Sequence, residues 1–289
     1  MEYTFTADEN REHERLNFFL KRCGVSTALI KKIKFSENGI KVNGVRQNAN
    51  YRLHAGDIVT INTDDENEET TVISQKGDLD IVYEDRCVMV VNKPPYMPCH
   101  PSFNHPTDTL ANYFVGLFAE RGEKKIPRII NRLDRNTSGL VLIALDAHSA
   151  EKLKGKVDKT YTAIVSGRLK DRHGVIDAPI AREKESIITR CVRADGQRAV
   201  TEYTAVKTAE DMTLVDVKLH TGRTHQIRVH FSHIGHPLLG DGLYGGDVSL
   251  IPRHALHCGR LSFPTPDGGK TVTLTRDMPE DMKTLIKNL

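Results

Sequence analysis

Tryptophan is absent from these 289 residues, and cysteine is scarce. The five cysteines, Cys23, Cys87, Cys99, Cys191 and Cys258, are odd in number and scattered, with no C-x-x-C pair. That pattern argues against a disulfide framework or a zinc knuckle and points to reduced thiols. Long apolar runs are missing too. The longest, near Gly139–Leu145, falls far short of the roughly 20 residues that span a bilayer. Met1–Arg11 is polar and lacks the apolar segment of a secretory signal, so the expected setting is the cytoplasm, away from membranes. Neither G-x-x-x-x-G-K nor G-x-G-x-x-G after a strand occurs, so no phosphate cradle for a nucleotide cofactor is expected. An excess of one charge is lacking as well, since the net charge is +3.

The distribution of that charge is more informative. Residues 11–61 hold ten Lys or Arg against four Asp or Glu, and Asp64–Glu69 then holds five acids and no base. A basic module ahead of an acidic connector suggests that the first part meets a polyanion. Its pattern predicts a helix around Leu16, Phe19, Leu20 and Cys23. A second helix is predicted over Thr27–Phe35 behind Ser26 as N-cap, with Lys31, Lys32 and Lys34 in its last half. An Asn43-Gly44 hairpin turn and a strand Ile58–Ile61 follow. Residues 63–78 read as a polar linker. From Leu79 onward, β-like segments (Ile81–Tyr83, Val88–Val91, Leu140–Ala144, Tyr161–Val165, Val200–Val206, Leu214–Leu219) outnumber helical ones (Thr109–Glu120, Ser149–Lys156, Thr224–Ile234). That balance predicts an α+β domain with a mainly antiparallel sheet.

Chemistry concentrates in Arg128–Leu142. Asp134 stands between Arg132 and Arg135 on a polar cluster just before a buried strand, where nearby positive charge favours the carboxylate and where loops carry functional groups. On the residues alone, a surface salt bridge that pins a turn is as good a reading. Five histidines, His220, His225, His230, His233 and His236, fall within 17 residues. No H-E-x-x-H and no Cys or acid at ligand spacing lies among them, so no metal is expected there. His225 with Arg223 is read instead as part of a basic strip for phosphates.

The string Arg132-Leu133-Asp134 with Thr137-Ser138-Gly139 and Ala144 resembles the signature of the RluA-type pseudouridine synthases, H-R-L-D-x-x-T-S-G-L-L-x-x-A. Asn131 replaces the usual His, and Asp146 stands where Lys is common. Tyr83-Glu84-Asp85, Val90 to Pro94, His100-Pro101, Lys159-Thr160-Tyr161, Thr221 to His230, Gly235 to Asp241, Tyr244-Gly245, His254 to His257 and Phe263 resemble further family landmarks in order. Ahead of them, Arg15-Leu16, the lysine-bearing helix, Val42-Asn43-Gly44 and Gly56-Asp57 resemble the S-four RNA-binding module.

These resemblances imply an S-four-like RNA-binding domain over residues 12–62 and a pseudouridine synthase catalytic domain over 79–289. The latter would be a curved, mainly antiparallel sheet with the cleft across its middle. They imply that Asp134 is the catalytic acid, that Arg228 pairs with it, and that Tyr161 stacks on the uracil. The same resemblance implies that Arg132 fills the gap left by a flipped nucleotide. Arg228 as a phosphate clamp and Tyr161 as simple core stay open as alternatives. The expected partner is RNA, ribosomal first and transfer RNA second, handled by a monomer without a cofactor. A non-catalytic RNA-binding protein and a histidine-built metal hydrolase are the rivals from other classes. On this reading the catalytic part stays competent on a small substrate when residues 1–62 are removed.

Overall fold

Val88, Val90, Leu140, Leu142 and Ala144 belong to one apolar cluster, and Met89, Val91, Val141, Ile143 and Leu145 to another. Side chains alternate across a strand, so these unbroken apolar runs are two strands buried on both faces. The chain is organised around them. Its structure, a computed structural model, describes residues 1–63, 70–183 and 188–287. The acidic run Asp64–Glu69 lies outside the described residues.

The N-terminal unit contains β1 (Glu2–Thr6), α1 (Leu16–Arg22), α2 (Thr27–Ile33), β2 (Ile40–Val42), β3 (Val45–Arg46) and β4 (Ile58–Asn62). Its sheet runs β1-β4-β2-β3, antiparallel throughout. Ser26 caps α2 as expected, its Oγ accepting from the Leu29 N–H at 3.2 Å. Asn43 and Gly44 take φ of 51° and 79°, the left-handed pair that closes a two-residue hairpin. Strand β1 lies ahead of the segment marked out by sequence and pairs with β4 along five residues.

The remaining elements are β5 (Ile81–Glu84), β6 (Val88–Lys93), α3 (Leu110–Glu120), β7 (Arg128–Ile129), β8 (Ser138–Ala144), α4 (Ala147–Leu153), β9 (Asp158–Ser166), β10 (His173–Asp177), β11 (Ile180–Arg182), β12 (Arg190–Val192), β13 (Val200–Thr208), β14 (Met212–Leu219), α5 (Gln226–His233), β15 (Leu256–Pro264), β16 (Thr271–Thr275) and α6 (Glu280–Leu285). Strands β11 and β12 pair apart. The rest form a ten-stranded sheet, β10-β13-β14-β9-β15-β8-β6-β5, with β16 on β15 and β7 on β8. Every pairing between these strands is antiparallel except β15 with β8, where His257 faces Ser138 and Cys258 faces Gly139. Gly139 has φ of 116°, and a Cβ there would sit 2.4 Å from the Cys258 carbonyl oxygen, so only glycine fits this junction.

The two faces of this sheet are covered differently. Leu110, Phe114 and Phe118 of α3 and Ile227 and Phe231 of α5 join Leu133, Tyr161 and Ala163 on one face. The N-terminal unit covers the other: Tyr3, Leu16, Leu20, Leu29, Ile30 and Ile61 share a single core with Val88, Leu140, Leu142, Leu153, Leu261 and Phe263. The two units are therefore not a bead on a string.

A buried polar knot reinforces the shared core. Tyr3 donates its hydroxyl to Asp146 Oδ2 at 2.9 Å and lies 2.8 Å from Ser149 Oγ, while Thr63 donates to Asp146 Oδ1 at 3.2 Å. Asp146 also accepts from the His148 and Ser149 N–H groups, which caps α4 and starts that helix at Ala147, two residues before the sequence suggests.

Within the expected linker, residues 73–77 run along α3. Gln75 N–H donates to the Asn112 carbonyl, Asn112 Nδ2 donates to the Ile73 carbonyl, and Gly116 leaves room for the Gln75 carbonyl. Among the described residues no helix is long and apolar enough to cross a membrane.

Candidate active site

The turn that carries Asp134 is set by what flanks it. On the upstream side, Asn131 is buried, donates from Nδ2 to the Leu140 carbonyl at 3.0 Å and accepts from the Leu142 N–H at 2.8 Å. It thus pins the approach to the buried edge of β8, so an amide at this position has a full structural role. Leu133 next to it is buried, and its N–H lies 3.4 Å from the sulfur of Cys99. Downstream, the Thr137 N–H donates to the Asp134 carbonyl at 3.1 Å and closes the turn. Asp134 sits between these fixed points with its carboxylate partly exposed to a cleft.

That cleft has a volume of about 610 Å³. Asp134, Tyr161, Arg228, Arg132, Arg223 and His225 all line it. Six of the residues singled out by sequence, from segments up to 96 positions apart, thus converge on one opening. Lys31, Lys32 and Lys34 do not. Lys31 and Lys32 lie on α2 and Lys34 at its C-cap, on the unit that covers the opposite face of the sheet, with Lys31 and Lys32 exposed and the Lys34 ammonium 4.5 Å from the ring centre of Phe35.

Helix α5 delivers Arg228. Its start is fixed by Gln226, whose Oε1 accepts from Thr221 Oγ1 at 2.8 Å and the Arg223 N–H at 3.0 Å and whose Nε2 donates to the Val200 carbonyl at 2.9 Å. From there Arg228 reaches back 94 positions and places Nη1 3.3 Å from Asp134 Oδ2. It is itself gripped from behind by Asp241, through Nε to Oδ2 at 2.7 Å and Nη2 to Oδ1 at 2.8 Å. Such two-point pairs are directional as well as strong. Burial works against the Arg228 charge, but Asp241 and then Asp134 outweigh it and raise the pKa above the ordinary guanidinium value.

His225 completes the group. It holds φ of 58°, the left-handed region that few non-glycine residues adopt. Its Nε2 is 3.9 Å from Asp134 Oδ2, and its Nδ1 is 2.7 Å from the Tyr244 hydroxyl. Burial lowers its pKa against the opposing pull of Asp134. The ring of Tyr244 lies under the Arg228 guanidinium, 4.9 Å from ring centre to Cζ. Tyr161 is buried in the wall, and burial, then the neighbouring Cys258 and Asp134, drive its hydroxyl well above the usual phenol range. It therefore meets the cleft as a neutral ring.

Asp241 and Tyr244 had no role from sequence, although both stand in a string that matched the family pattern. Nothing local marks them, because their partners are Arg228 and His225, 13 and 19 positions away. The other histidines of the run go to separate places: His220 to Glu202, His230 to Thr201 and the Ala178 carbonyl, and His236 to the Ser166 carbonyl.

A carboxylate fixed by an arginine, a neutral aromatic wall and a basic rim make a site for a polyanionic substrate with a flat ring to hold. Comparison with known proteins agrees. Residues 87–233 match the family model for RNA pseudouridylate synthase. The chain is 41% identical over 269 residues to the uncharacterised RNA pseudouridine synthase YjbO of Bacillus subtilis, covering 91% of this chain and 95% of that protein. It is 37% identical over 231 residues to the ribosomal large subunit pseudouridine synthase D of Zymomonas mobilis, covering 73% of each. Among solved structures, human RNA pseudouridylate synthase domain containing 1 superposes with a TM-score of 0.57 at 26% identity, over 70% of this chain and 86% of that one. The chain belongs to the RNA pseudouridylate synthase family and is an RluA-type RNA pseudouridine synthase.

Proposed function

We propose that this enzyme isomerises uridines of large-subunit ribosomal RNA to pseudouridine, with Asp134 acting at the sugar of a uridine turned out of its stack. The reaction breaks the base–sugar C–N bond, turns the uracil, and joins its carbon 5 to the sugar. The observation that carries the assignment is the Asp241–Arg228–Asp134 chain. One oxygen of Asp134 meets a guanidinium that cannot move, since Asp241 holds its other nitrogens. The carboxylate is thereby aimed into the cleft, ready to attack the sugar or to remove a sugar proton and give a glycal.

In this reading the Tyr161 ring packs against the everted uracil, and Arg132 enters the gap left in the RNA. Arg223 and His225 meet phosphates. Lys31, Lys32 and Lys34, on an S-four-like unit, hold a more distant part of the RNA. The work is done by a monomer, with no cofactor, in the cytoplasm. Support for the substrate comes from the Zymomonas relative, whose name specifies the ribosomal large subunit.

Mapping pseudouridines in total RNA from cells with and without the gene tests this. One or more positions in large-subunit ribosomal RNA should revert to uridine, and Asp134→Asn should fail to restore them. Reversion confined to transfer RNA would move the substrate, and no reversion anywhere would end the proposal.

A further inference from the structure

Four residues lie between Asp134 and Gly139 of the parallel strand junction, and each is held by a different buried cation or imidazole. Lys93 Nζ donates to the Arg135 carbonyl at 3.1 Å, and to those of Pro94 and Met97 at 2.8 Å each. Arg253 Nη1 donates to the Asn136 carbonyl at 3.2 Å. His254 Nε2 and Thr137 Oγ1 are hydrogen-bonded at 2.8 Å, and His257 Nδ1 and Ser138 Oγ at 3.0 Å. None of the four holders is more than 4% exposed. Arg253 is anchored in turn by Asp281 of α6, through Nε at 2.7 Å and Nη2 at 2.9 Å.

Desolvating two cations and two imidazoles is unfavourable. A turn already closed by its own Thr137–Asp134 backbone bond does not need them in order to exist. What the contacts add is a single place for the residue at the turn's first corner. None of Arg253, His254 and His257 lines the cleft, so they act through the turn and not on substrate. Burial and then the charges of Arg228 and Arg253 push His254 down to about 2. It therefore holds Thr137 as a neutral imidazole.

We infer that Lys93, Arg253, His254 and His257 form a cradle that positions Asp134, with Asp281 on the C-terminal helix as its outer anchor. This rests on Asp134 being the reacting carboxylate, and it adds residues that the proposed chemistry does not itself require.

The test uses the full chain and an unmodified transcript of large-subunit ribosomal RNA labelled with tritium at carbon 5 of uridine. Release of tritium, RNA affinity and thermal melting are measured for His254→Leu, His254→Gln, Thr137→Val, Asp281→Asn and Asp134→Asn. A misplacement of about 1 Å can lower turnover some 100-fold. His254→Leu and Thr137→Val should therefore lose about 10- to 100-fold in kcat, with RNA Kd within about twofold.

Gln can still meet Thr137, so His254→Gln should recover most of the loss. The double variant His254→Leu/Thr137→Val should lose no more than the worse single one, because both remove one bond. Asp281→Asn should lower kcat with little change in KM. Should His254→Leu fail to fold, the near-isosteric Thr137→Val and His254→Gln still decide. Full kcat in Thr137→Val while Asp134→Asn is inactive overturns the cradle alone, as does His254→Gln no better than His254→Leu or a loss seen only in Kd. Turnover retained by Asp134→Asn overturns the cradle together with the reading beneath it.

Discussion

Arg228 grips Asp241 with two nitrogens and presents a third to Asp134 at 3.3 Å. The order of strength matters. The Asp241 contacts are short and buried, and the Asp134 contact is longer and faces the cleft, so Asp241 fixes the arginine and the arginine fixes the acid. Lysine offers a point charge without the planar fork, so Arg228→Lys cannot hold both partners. Turnover of Arg228→Lys should fall about 100-fold with KM within a few-fold, measured under single-turnover conditions. Asp241→Ala leaves a buried guanidinium without its main partner and should destabilise the fold by about 3–5 kcal/mol, read from the denaturation midpoint. An Asp241→Ala protein as stable as the parent would mean that the pair contributes nothing to the fold.

Removal of residues 1–62 separates the sequence reading from the structure. The charge pattern suggested a detachable basic module. The structure gives Val88, Leu140 and Leu142 the same core as Leu16, Leu29 and Ile61. Each such aliphatic side chain contributes roughly 1.5–3 kcal/mol when fully buried. The truncated chain should therefore aggregate or melt far below the full chain, and lose turnover on every substrate, short RNAs included. A soluble, active fragment 63–289 would show that the shared core is dispensable. Tyr3→Phe is the mild version. It removes one donor to Asp146 and should cost about 1 kcal/mol in the denaturation midpoint, since Thr63 and Ser149 remain.

The difference shows what a sequence of this kind exposes. Leu140–Ala144 and Val88–Val91 announced themselves because strands buried on both faces are apolar at every position. Asp134, Tyr161 and Arg228 were legible through ordered motifs, not through their own surroundings. Strand β15 lies at the centre of the sheet, yet it carries His257, Gly259 and Arg260 and a register shift between His257 and Arg260, so no period-2 pattern survives. Strand β1 begins almost at the first residue and is stabilised by β4, more than fifty residues away. The departures Asn131 and Asp146 were visible as letters. Their meaning was not, because Asn131 substitutes for a strand neighbour and Asp146 ties two units together, both through long-range contacts.

Lys31, Lys32 and Lys34 lie on the unit behind the sheet, away from the cleft, so an RNA that touches both has to reach around the molecule. Charge reversal of the three should weaken binding to an unmodified large-subunit ribosomal RNA transcript. The slope of log K against log salt should become shallower by up to about three. A short stem-loop that fills only the cleft should bind and react as before. Equal losses on both RNAs would place these lysines in the cleft's own field and remove the idea of a second contact.

Acid should destabilise this fold before carboxylates begin to titrate. His148, His230, His254 and His257 are all buried, and burial lowers the pKa of each. In the unfolded chain a histidine titrates near 6.5. Between that value and the folded value of about 2 for His254, the unfolded state carries a proton that the folded state refuses. Stability therefore falls as the pH drops below about 6.5, by about 1.4 kcal/mol per unit for His254, with the other three acting in the same direction. At pH 5, His254 alone accounts for about 2 kcal/mol. Thermal melting should be flat from pH 7 to 8 and drop steeply between pH 6.5 and 5. In His254→Gln, which has no proton to refuse, that drop should be visibly shallower. Identical acid profiles for the two proteins would mean that His254 titrates in the folded state, and its place as a neutral partner of Thr137 would have to be abandoned.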